Sequence, residues 1–317
     1  MSMLRFDGIR KSFAGKPVLD DLSFAVEKGE VYALLGPNGC GKSTAINILC
    51  NLLAPDGGVV EIAGRPASDI ARSIVGICPQ EIALYRDLYP GENLRFFAQL
   101  YGLSRTERTG RVSAVMRLFG LDGFAKTPVA SLSGGWQRRV NIAVALVHSP
   151  EVLVLDEPTS AVDLEARHEL WHMIETLKHS GMTILLTTHH LDEAEQLCSR
   201  IGIMKDGRIV REGTIEELLA LVPAKAIALV ESVNQDAVLR RAAELGWDTR
   251  RYAGKIGCLL PQQTSLREIV GAFDGINVSA VSVQRVSLEH AYLEVLHGSG
   301  SAWPDLLGSP RQSRDHP

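Results

Sequence analysis

Long apolar runs are missing from this sequence of 317 residues. Apolar stretches such as 142–147 and 152–155 fall far short of the roughly 20 residues that a membrane-spanning helix needs. The first ten residues lack the basic start and the apolar stretch of a secretory signal peptide. The five cysteines are odd in number and include no Cys-x-x-Cys pair. These absences predict a reduced, cytosolic protein that does not cross a membrane.

An excess of positive charge is also missing. The net charge is -4, and the Lys and Arg residues are scattered instead of forming the basic stripe that a nucleic-acid backbone requires. We therefore expect no nucleic-acid partner. With 45% hydrophobic and 22% charged residues the composition is globular, and the length exceeds what one hydrophobic core usually organises. Two globular modules are predicted.

Short apolar runs alternate with helical patterns in the larger, N-terminal part of the chain. Runs typical of buried strands lie at 31–35, 152–155, 183–187 and 201–204. Their alternation with helical patterns predicts a parallel sheet covered by helices. Residues 94–146 have helical periodicity without a comparable strand. The sequence thus predicts an α/β domain over residues 1–222 with a helical insertion at about 83–146.

The remaining residues predict a second, smaller domain and a tail. Between residues 223 and 297, strand and helix patterns follow one another in the order β-α-β-β-α-β, which is typical of a ferredoxin-like α+β module. Residues 298–317 are rich in Gly, Ser, Pro and polar residues and show no periodicity. We expect them to form a disordered tail.

A phosphate-binding motif, the Walker A pattern G-x-x-x-x-G-K-[ST], follows the first of these strands and precedes a helical pattern. It comprises Gly36, Pro37, Asn38, Gly39, Cys40, Gly41, Lys42 and Ser43. Backbone N–H groups and the helix start hold phosphate oxygens in such a loop, and the lysine supplies a point charge for the β- and γ-phosphates. Ser43 is expected to bind Mg²⁺, and Thr44 to donate to the α-phosphate. This loop alone leaves kinases, GTPases and motor proteins open.

Two further motifs narrow the choice. Residues 152–157 form an apolar strand that ends in two carboxylates, of which Asp156 can reach Mg²⁺ and Glu157 can polarise the attacking water. The second motif comprises Leu132, Ser133, Gly134 and Gly135. Taken with Gln80, Asp163 and His189, the motifs resemble the ABC ATPase family over about residues 3–220, in the family's own order.

The resemblance implies a fold, an assembly and a set of ligands. The implied fold is a P-loop NTPase with a RecA-like core, an antiparallel β subdomain and a helical insertion. The implied assembly is a head-to-tail dimer, either of two copies or of this chain with a paired ABC subunit. In that dimer Ser133 and Gly135 of one subunit contact the γ-phosphate held by the other. ATP and Mg²⁺ are the implied ligands.

Residue roles also follow from the resemblance. Gln80 is similar to the glutamine that senses Mg²⁺ and links the core to the helical insertion, and His189 to the histidine that contacts the γ-phosphate and orients the water. Asp163 ends a segment, residues 160–163, that resembles the loop crossing the dimer interface, and Phe13 is expected to stack on adenine. Catalytic roles are thus implied for Lys42, Gln80, Glu157 and His189, and Mg²⁺ ligands for Ser43, Gln80 and Asp156.

Trp136 and His190 depart from the family pattern. Trp136 stands where the signature usually carries Gln or another flexible residue, and we expect activity to survive this change. His190 directly follows His189, so the assignment of the switch histidine to His189 rests on its register with the strand that ends at Thr187 and Thr188. His190 is the alternative.

A literal H-E-x-x-H pattern is formed by His168, Glu169 and His172. On a helix this spacing puts two zinc ligands and a base on one face, as in metalloproteases. The pattern lies in the helix after the interface loop, however, and Asp192 and Glu193, which could supply a third ligand, belong to the switch-histidine segment. We expect a surface helix with two histidines; catalytic zinc is the alternative.

Cys40 lies inside the phosphate loop. The start of the following helix and Lys42 favour its thiolate, which predicts alkylation that bound nucleotide prevents. The alternative is a small filling residue with an ordinary thiol.

Aromatic residues make up only 6% of the chain but are dense just after Gln80. Residues 85–101 include Tyr85, Leu88, Tyr89, Phe96, Phe97 and Tyr101. Their position suggests the groove that receives a channel partner, and the alternative is packing within the helical insertion. Surface exposure of Tyr85 and Tyr89 distinguishes the two.

The type of ABC protein is indicated by what accompanies the motifs. The single motif set, with no coiled-coil insertion and no long basic linker, disfavours DNA-repair and translation factors. Residues 84–88, 92–94 and 287–293 resemble bacterial exporter ATPases for drugs, polysaccharides and lipids, although His290, Ala291 and Tyr292 replace the usual acidic-hydrophobic-Phe pattern. The resemblance implies a cytoplasmic subunit held at the inner face of the membrane by an integral membrane permease on a separate chain. A soluble ABC switch without transport is the alternative, import stays open, and the cargo is not identified.

Overall fold

The computed structural model of the protein describes residues 2–252 and 255–297. They belong to two compact units, one ending at Thr214 and one beginning at Ile215, whereas the sequence patterns place the domain boundary after residue 222. The tail expected at residues 298–317 lies outside the described residues. In the described part of the chain, no helix is long and apolar enough to cross a membrane.

The strands of the first unit form two sheets. An antiparallel sheet has the order β2-β1-β4-β5, and a second sheet has the order β10-β9-β3-β8-β7-β6, in which β10 is antiparallel and the other neighbours are parallel. The strands are β1 (Ser2–Phe13), β2 (Lys16–Glu27), β3 (Val31–Leu35), β4 (Gly57–Ile62), β5 (Arg65–Pro66), β6 (Val75–Cys78), β7 (Val152–Asp156), β8 (Thr183–Thr188), β9 (Arg200–Lys205) and β10 (Arg208–Thr214).

The parallel strands place the functional loops at one edge of their sheet. Every residue of β3, β7 and β8 is buried, as expected for strands with both faces covered. β8 pairs with both β3 and β7, and Asp156 at the end of β7 lies opposite Thr187. Because the carboxyl ends of parallel strands share an edge, the loops that follow these strands start close together.

Helices connect these strands and form the insertion predicted near residues 83–146. That insertion contains α3, α4 and α5, and α4 begins with a capping box in which Ser104 and Glu107 satisfy each other's backbone N–H groups. The helices of the first unit are α1 (Lys42–Leu49), α2 (Ala67–Ile74), α3 (Pro90–Leu100), α4 (Arg105–Leu118), α5 (Gly134–Ala145), α6 (Leu164–His179) and α7 (Leu191–Leu197).

One hydrophobic core of the first unit joins its two sheets. Phe6 and Phe24 of the antiparallel sheet stack with ring centroids 4.3 Å apart, and Phe24 stacks on Tyr32 of β3 at 5.2 Å. Ile46 and Leu49 of α1 belong to the same cluster. α1 is therefore anchored by apolar burial, which fixes the loop that precedes it.

The second unit is an α+β module. Its elements are α8 (Ile215–Leu219), β11 (Ala226–Ser232), α9 (Gln235–Glu244), β12 (Asp248–Tyr252), β13 (Lys255–Leu260), α10 (Leu266–Ala272), β14 (Val278–Arg285) and α11 (Leu288–His297). From β11 to β14 they follow the β-α-β-β-α-β order, and the antiparallel sheet has the order β12-β13-β11-β14. α9 and α10 supply Val238 and Ile269 to one core, while Leu293 of α11 packs with Ile227 and Leu229 of β11.

Candidate active site

The phosphate loop joins β3 to α1. Gly41 precedes α1 with a φ of 109°, and a Cβ at this position would lie 2.6 Å from Leu19 Cδ2 and 2.9 Å from the Val18 carbonyl oxygen. Both the backbone conformation and the close approach of β2 therefore demand glycine. Because α1 starts at Lys42, its unpaired N–H groups and the positive end of its dipole face the loop, which can bind an anionic group.

Lys42 is directed into this loop. Its Nζ donates to the carbonyl oxygens of Gly36 at 2.8 Å and Pro37 at 3.2 Å, and it lies 3.7 Å from Glu157 Oε1. The side chains of Lys42 and Glu157 are both buried. Ser43 and Thr44, predicted to bind Mg²⁺ and phosphate, occupy the first turn of α1.

The carboxylate of Asp156 is held by a neighbour that the sequence analysis did not identify. Thr187 Oγ1 of β8 donates to Asp156 Oδ1, and the Glu157 N–H donates to the Thr187 carbonyl oxygen at 3.0 Å. Both contacts follow from the register that places Asp156 opposite Thr187. A threonine near the end of an otherwise apolar strand is the signal that could have identified it.

Three of the predicted catalytic side chains meet at one oxygen atom. Gln80 Nε2 donates to Glu157 Oε2 at 3.2 Å, and His189 Nδ1 lies 3.1 Å from the same oxygen. The His190 ring is tilted against that of His189 at 4.1 Å, and burial lowers the pKa of His190. The histidine that faces the Glu157 carboxylate is therefore His189. The structure brings together Gln80, Glu157 and His189 from the ends of three parallel strands.

Arg138 of α5 also belongs to this site, although sequence reasoning missed it. Its guanidinium is buried and donates to the main-chain carbonyl oxygens of residues 156–158, around Glu157, and of residues 79 and 80. Helical periodicity is the sequence feature that could have identified Arg138 as a buried residue. It shares one face of α5 with Gly135 and Ile142, which are both buried.

The signature residues lie where α5 begins. Ser133 is the N-cap of α5, and its Oγ accepts from the Trp136 N–H at 3.5 Å. The region near Gly134 is open, whereas Gly135 packs against α6. Among the described residues, no hydrogen bond or ion pair joins the signature residues to the phosphate loop. The N–H groups at the start of α5 can therefore bind a phosphate that is not held by the phosphate loop of the same chain.

The Trp136 side chain packs within its own subunit. Its ring lies 4.3 Å from the Phe124 ring, and the Arg139 guanidinium carbon lies 4.3 Å above it. These contacts account for the bulk of Trp136 at a signature position, because the indole fills space between α5 and the preceding turn and supports a cation–π contact.

Asp163 and Phe13, expected at the dimer interface and at the adenine, lie at the start of α6 and at the end of β1. Asp163 is the N-cap of α6, and its Oδ1 accepts from the Ala166 N–H at 2.8 Å. The next residue, Leu164, is 67% exposed, which is unusual for a leucine. Phe13 ends β1 with nearly half of its side chain exposed, and Lys11 Nζ lies 5.7 Å from its ring centroid.

The thiolate expected at Cys40 is not favoured in the structure, while alkylation that bound nucleotide prevents stays a prediction. Burial raises the pKa of Cys40, and the opposing effect of Lys42 and of backbone N–H groups is smaller. Burial disfavours the charged thiolate because a low-dielectric surrounding replaces water. The structure therefore gives Cys40 the properties of a packed, protonated thiol.

The H-E-x-x-H residues are engaged in other contacts on α6. The Glu169 carboxylate pairs with Arg139 at 2.5 Å, His172 Nδ1 lies 3.5 Å from Glu175 Oε2, and the His168 ring packs against Trp171. Within residues 2–252 and 255–297, no group of three or more His, Cys, Asp and Glu side chains is arranged to hold a metal ion. The contacts of α6 fit the surface-helix interpretation.

The aromatic residues after Gln80 are partly exposed. Tyr85 is 50% and Tyr89 is 39% exposed, while Tyr85 also packs edge-on against Phe96 at 4.6 Å and Phe96 against Phe97 at 5.4 Å. Packing within the insertion accounts for Phe97, whereas Tyr85 and Tyr89 keep exposed faces in the segment that follows Gln80.

Comparisons with known proteins agree on one family. The family model described as ABC transporter matches residues 19–160. The linearmycin resistance ATP-binding protein of Bacillus subtilis (strain 168) is 40% identical over 238 residues, which are 74% of this chain and 76% of that protein. The Nod factor export ATP-binding protein I of Paraburkholderia xenovorans (strain LB400) is 41% identical over 220 residues, 68% of this chain and 72% of that protein.

Solved structures show the same likeness. The ATP-binding subunit of an ABC transporter aligns with a TM-score of 0.62 and 32% identity, over 69% of this chain and 92% of that chain. A dimeric ATP-binding cassette in a post-hydrolysis state with ADP and Pi aligns with a TM-score of 0.61 and 28% identity, over 67% of this chain and 98% of that chain. The P-loop NTPase fold class expected from the sequence is confirmed.

Proposed function

This chain belongs to the ABC transporter family of ATP-binding subunits, which are ATPases, and we propose that it powers an exporter whose channel is a separate membrane protein. The relatives described above are named for linearmycin resistance and Nod factor export. The observation that carries the proposal is the convergence of Gln80 and His189 on the Glu157 carboxylate, with Lys42 beside it. This arrangement suits ATP hydrolysis at a phosphate loop.

ATP binding is proposed to use the phosphate loop and Phe13. The loop N–H groups and the start of α1 surround the phosphates, and Phe13 stacks on the adenine. Lys42 Nζ then exchanges the neutral carbonyl oxygens of Gly36 and Pro37 for charged phosphate oxygens, which are stronger acceptors.

The side chains beside the loop fit a Mg²⁺ ion, which prefers oxygen ligands. We assign the Ser43 hydroxyl, the Asp156 carboxylate and the Gln80 amide oxygen to it. Gln80 Nε2 donates to Glu157, which leaves the amide oxygen as the atom of that group that can bind a cation. When bound, Mg²⁺ neutralises negative charge on the β- and γ-phosphates.

Glu157 is proposed as the base for hydrolysis. Its carboxylate accepts a hydrogen bond from the attacking water, whose oxygen bonds to the γ-phosphorus while the bond to the β–γ bridging oxygen breaks. The water proton passes to the carboxylate and then to solvent, and ADP and phosphate leave. His189 orients the water and contacts the γ-phosphate.

The signature residues are proposed to act on the nucleotide of a second subunit, either another copy or a paired ABC subunit. Ser133 and Gly135 present the N-terminus of α5, which suits a phosphate, and they have no hydrogen bond to the phosphate loop of their own chain within the described residues. Exposed Leu164 beside Asp163 gives this face an apolar side chain to bury. ATP would then hold two subunits together, and hydrolysis would release them.

A groove in the first unit is proposed to receive the permease. It has a volume of 580 Å³ and includes Leu52 and Leu100, which are 69% and 70% exposed. Val75 and Ile77 of β6 also line it, and β6 leads to Gln80. Two exposed leucines in one groove suit an apolar segment of a partner, and the continuity with Gln80 offers a route from nucleotide to channel. This contact would hold the chain at the inner face of the membrane.

Co-purification with a membrane protein tests transport against the soluble ABC switch. Tagged chain is recovered from detergent-solubilised membranes, and the bound proteins are identified by mass spectrometry. Leu100→Asp should lose an integral membrane partner that the wild type retains, whereas Val59→Asp, which changes an exposed residue of β4, should keep it. Recovery of active ATPase from the soluble fraction alone, with no membrane protein attached, would favour the switch.

A further inference from the structure

Arg138 is an arginine of α5 that is only 2% exposed. A guanidinium has five N–H donors, and here every one is directed at a main-chain carbonyl oxygen. Nε donates to Pro158 at 2.7 Å, Nη1 to Pro79 at 2.6 Å and Gln80 at 3.0 Å, and Nη2 to Asp156 at 2.9 Å and Glu157 at 2.7 Å. Burying this charge is tolerable because its donors are satisfied.

These carbonyl oxygens belong to two separate segments that carry the reacting side chains. One segment contains Asp156 and Glu157, and the other contains Gln80. The guanidinium is planar and rigid, so it fixes the two main chains relative to each other. The 3.2 Å contact between Gln80 Nε2 and Glu157 Oε2 depends on that spacing.

The main chain at Glu157 needs such support. Its φ is 45°, in the left-handed region that side chains other than glycine rarely adopt. A strained conformation of this kind persists only where its surroundings fix it, and Arg138 binds the carbonyl oxygens of Glu157 itself and of the residues before and after it.

Arg138 also connects this segment to the signature. Ser133 is the N-cap of α5, and Gly135 lies one turn before Arg138 on the same face of the helix. A short helix moves as a rigid element, so a displacement of its N-terminus moves Arg138 and the carbonyl groups bound to it.

We propose that Arg138 is a positioning residue that couples the signature helix to the hydrolytic centre of its own subunit. The inference rests on the proposed dimer. When Ser133 and Gly135 engage the nucleotide of the second subunit, α5 settles in one position, and Arg138 aligns Glu157 and Gln80 for hydrolysis. The base of one site is thereby set by nucleotide bound at the other.

Arg138→Lys tests this role in the full chain. Lysine keeps the positive charge but has three donors on a flexible stem, so it cannot hold all the carbonyl groups in one plane. We expect kcat for ATP to fall about tenfold or more, in line with the cost of a small misplacement of catalytic groups. Affinity for a fluorescent ATP analogue should change less than about threefold, because no phosphate-loop contact is altered.

Arg111→Lys is the matched control. Arg111 donates from Nε to the Val147 carbonyl oxygen at 3.1 Å and from Nη2 to the Leu146 carbonyl oxygen at 2.7 Å, at the opposite end of α5. The change removes comparable bonds without touching the segments of Glu157 or Gln80. Its kcat per folded chain should stay within about twofold of the wild type, with the folded fraction taken from a thermal unfolding curve.

Arg138→Gln is a second test of the same role. Glutamine has no charge to bury, so kcat and ATP affinity can be measured on this variant if the lysine variant does not fold. The proposal is overturned if kcat of the Arg138 variants falls no further than that of Arg111→Lys, or if ATP affinity falls in parallel with kcat. Failure of the proposed dimer is a separate result, because it shows as a wild-type chain that hydrolyses ATP without associating in light scattering.

Discussion

Cys40 shows how burial governs a side chain within the phosphate loop. Alkylating agents react with the thiolate, and burial holds the pKa of Cys40 above its ordinary value of 9.0. Below that pKa the thiolate population rises about tenfold per pH unit. We therefore predict that the alkylation rate of Cys40, followed by mass spectrometry, still increases steeply from pH 7 to beyond pH 9. A rate that levels off below pH 8 would show a lowered pKa instead.

The sequence gives the neighbours of Cys40 but not its exposure to water. Lys42 and the helix start could be inferred from the motif, whereas the close packing of Cys40 Sγ near Gly36 depends on the folded loop. The same limit applies to Arg138 and Arg139, which are adjacent in sequence. One is buried against carbonyl groups and the other pairs with Glu169 near the surface.

At the scale of elements, α5 and α6 approach each other closely at Gly135. A Cβ there would lie 2.6 Å from the Ala166 Cβ, closer than two carbon atoms can approach. Gly135→Ala should therefore lower the free energy of unfolding by about 1–3 kcal/mol, measured by urea denaturation, because the helices must separate.

Two variants on the same helices check the cause of that loss. Gly134 has open space around it, so Gly134→Ala should stay within about 0.5 kcal/mol of the wild type. Adding Ala166→Gly to Gly135→Ala removes the opposing methyl group and should recover part of the loss, so the double variant is more stable than the sum of the single changes. Additive losses would exclude a direct clash.

Secondary-structure elements were predictable wherever their apolar pattern is continuous. β3, β7 and β8 read as apolar runs because both of their faces are covered, and the phosphate loop follows from the glycines between β3 and α1. The β-α-β-β-α-β pattern predicted the module of the second unit, but not the residue register of its sheet. β11 pairs with both β13 and β14, and the register between such distant segments leaves no periodic signal in the sequence.

At the scale of the whole molecule, each of the two units has its own core. A buried ion pair in the second unit provides a test, since Arg250 binds Glu294 through two hydrogen bonds at 2.9 Å and 3.1 Å and both side chains are at most 10% exposed. Arg250→Ala should destabilise this unit by about 3–5 kcal/mol, because it leaves a buried carboxylate without its partner. The measurement is amide hydrogen exchange, with lost protection in β11 and β13.

The exposed pair Lys255–Glu231 on the same sheet is the control, and Lys255→Ala should cost less than about 1 kcal/mol. Protection in β7 and β8 of the first unit should be unchanged in both variants. An Arg250→Ala variant that exchanges faster throughout both units would contradict separate cores.

Glu157→Gln tests the central claim most directly. The variant keeps the size and a hydrogen-bonding oxygen of the side chain but loses the base, so ATP should still bring two chains together while hydrolysis is removed. We predict an ATP-dependent increase in mass by light scattering together with phosphate release at least about 100-fold slower than in the wild type. A variant that stays monomeric with ATP, or one that hydrolyses ATP at the wild-type rate, would contradict the account.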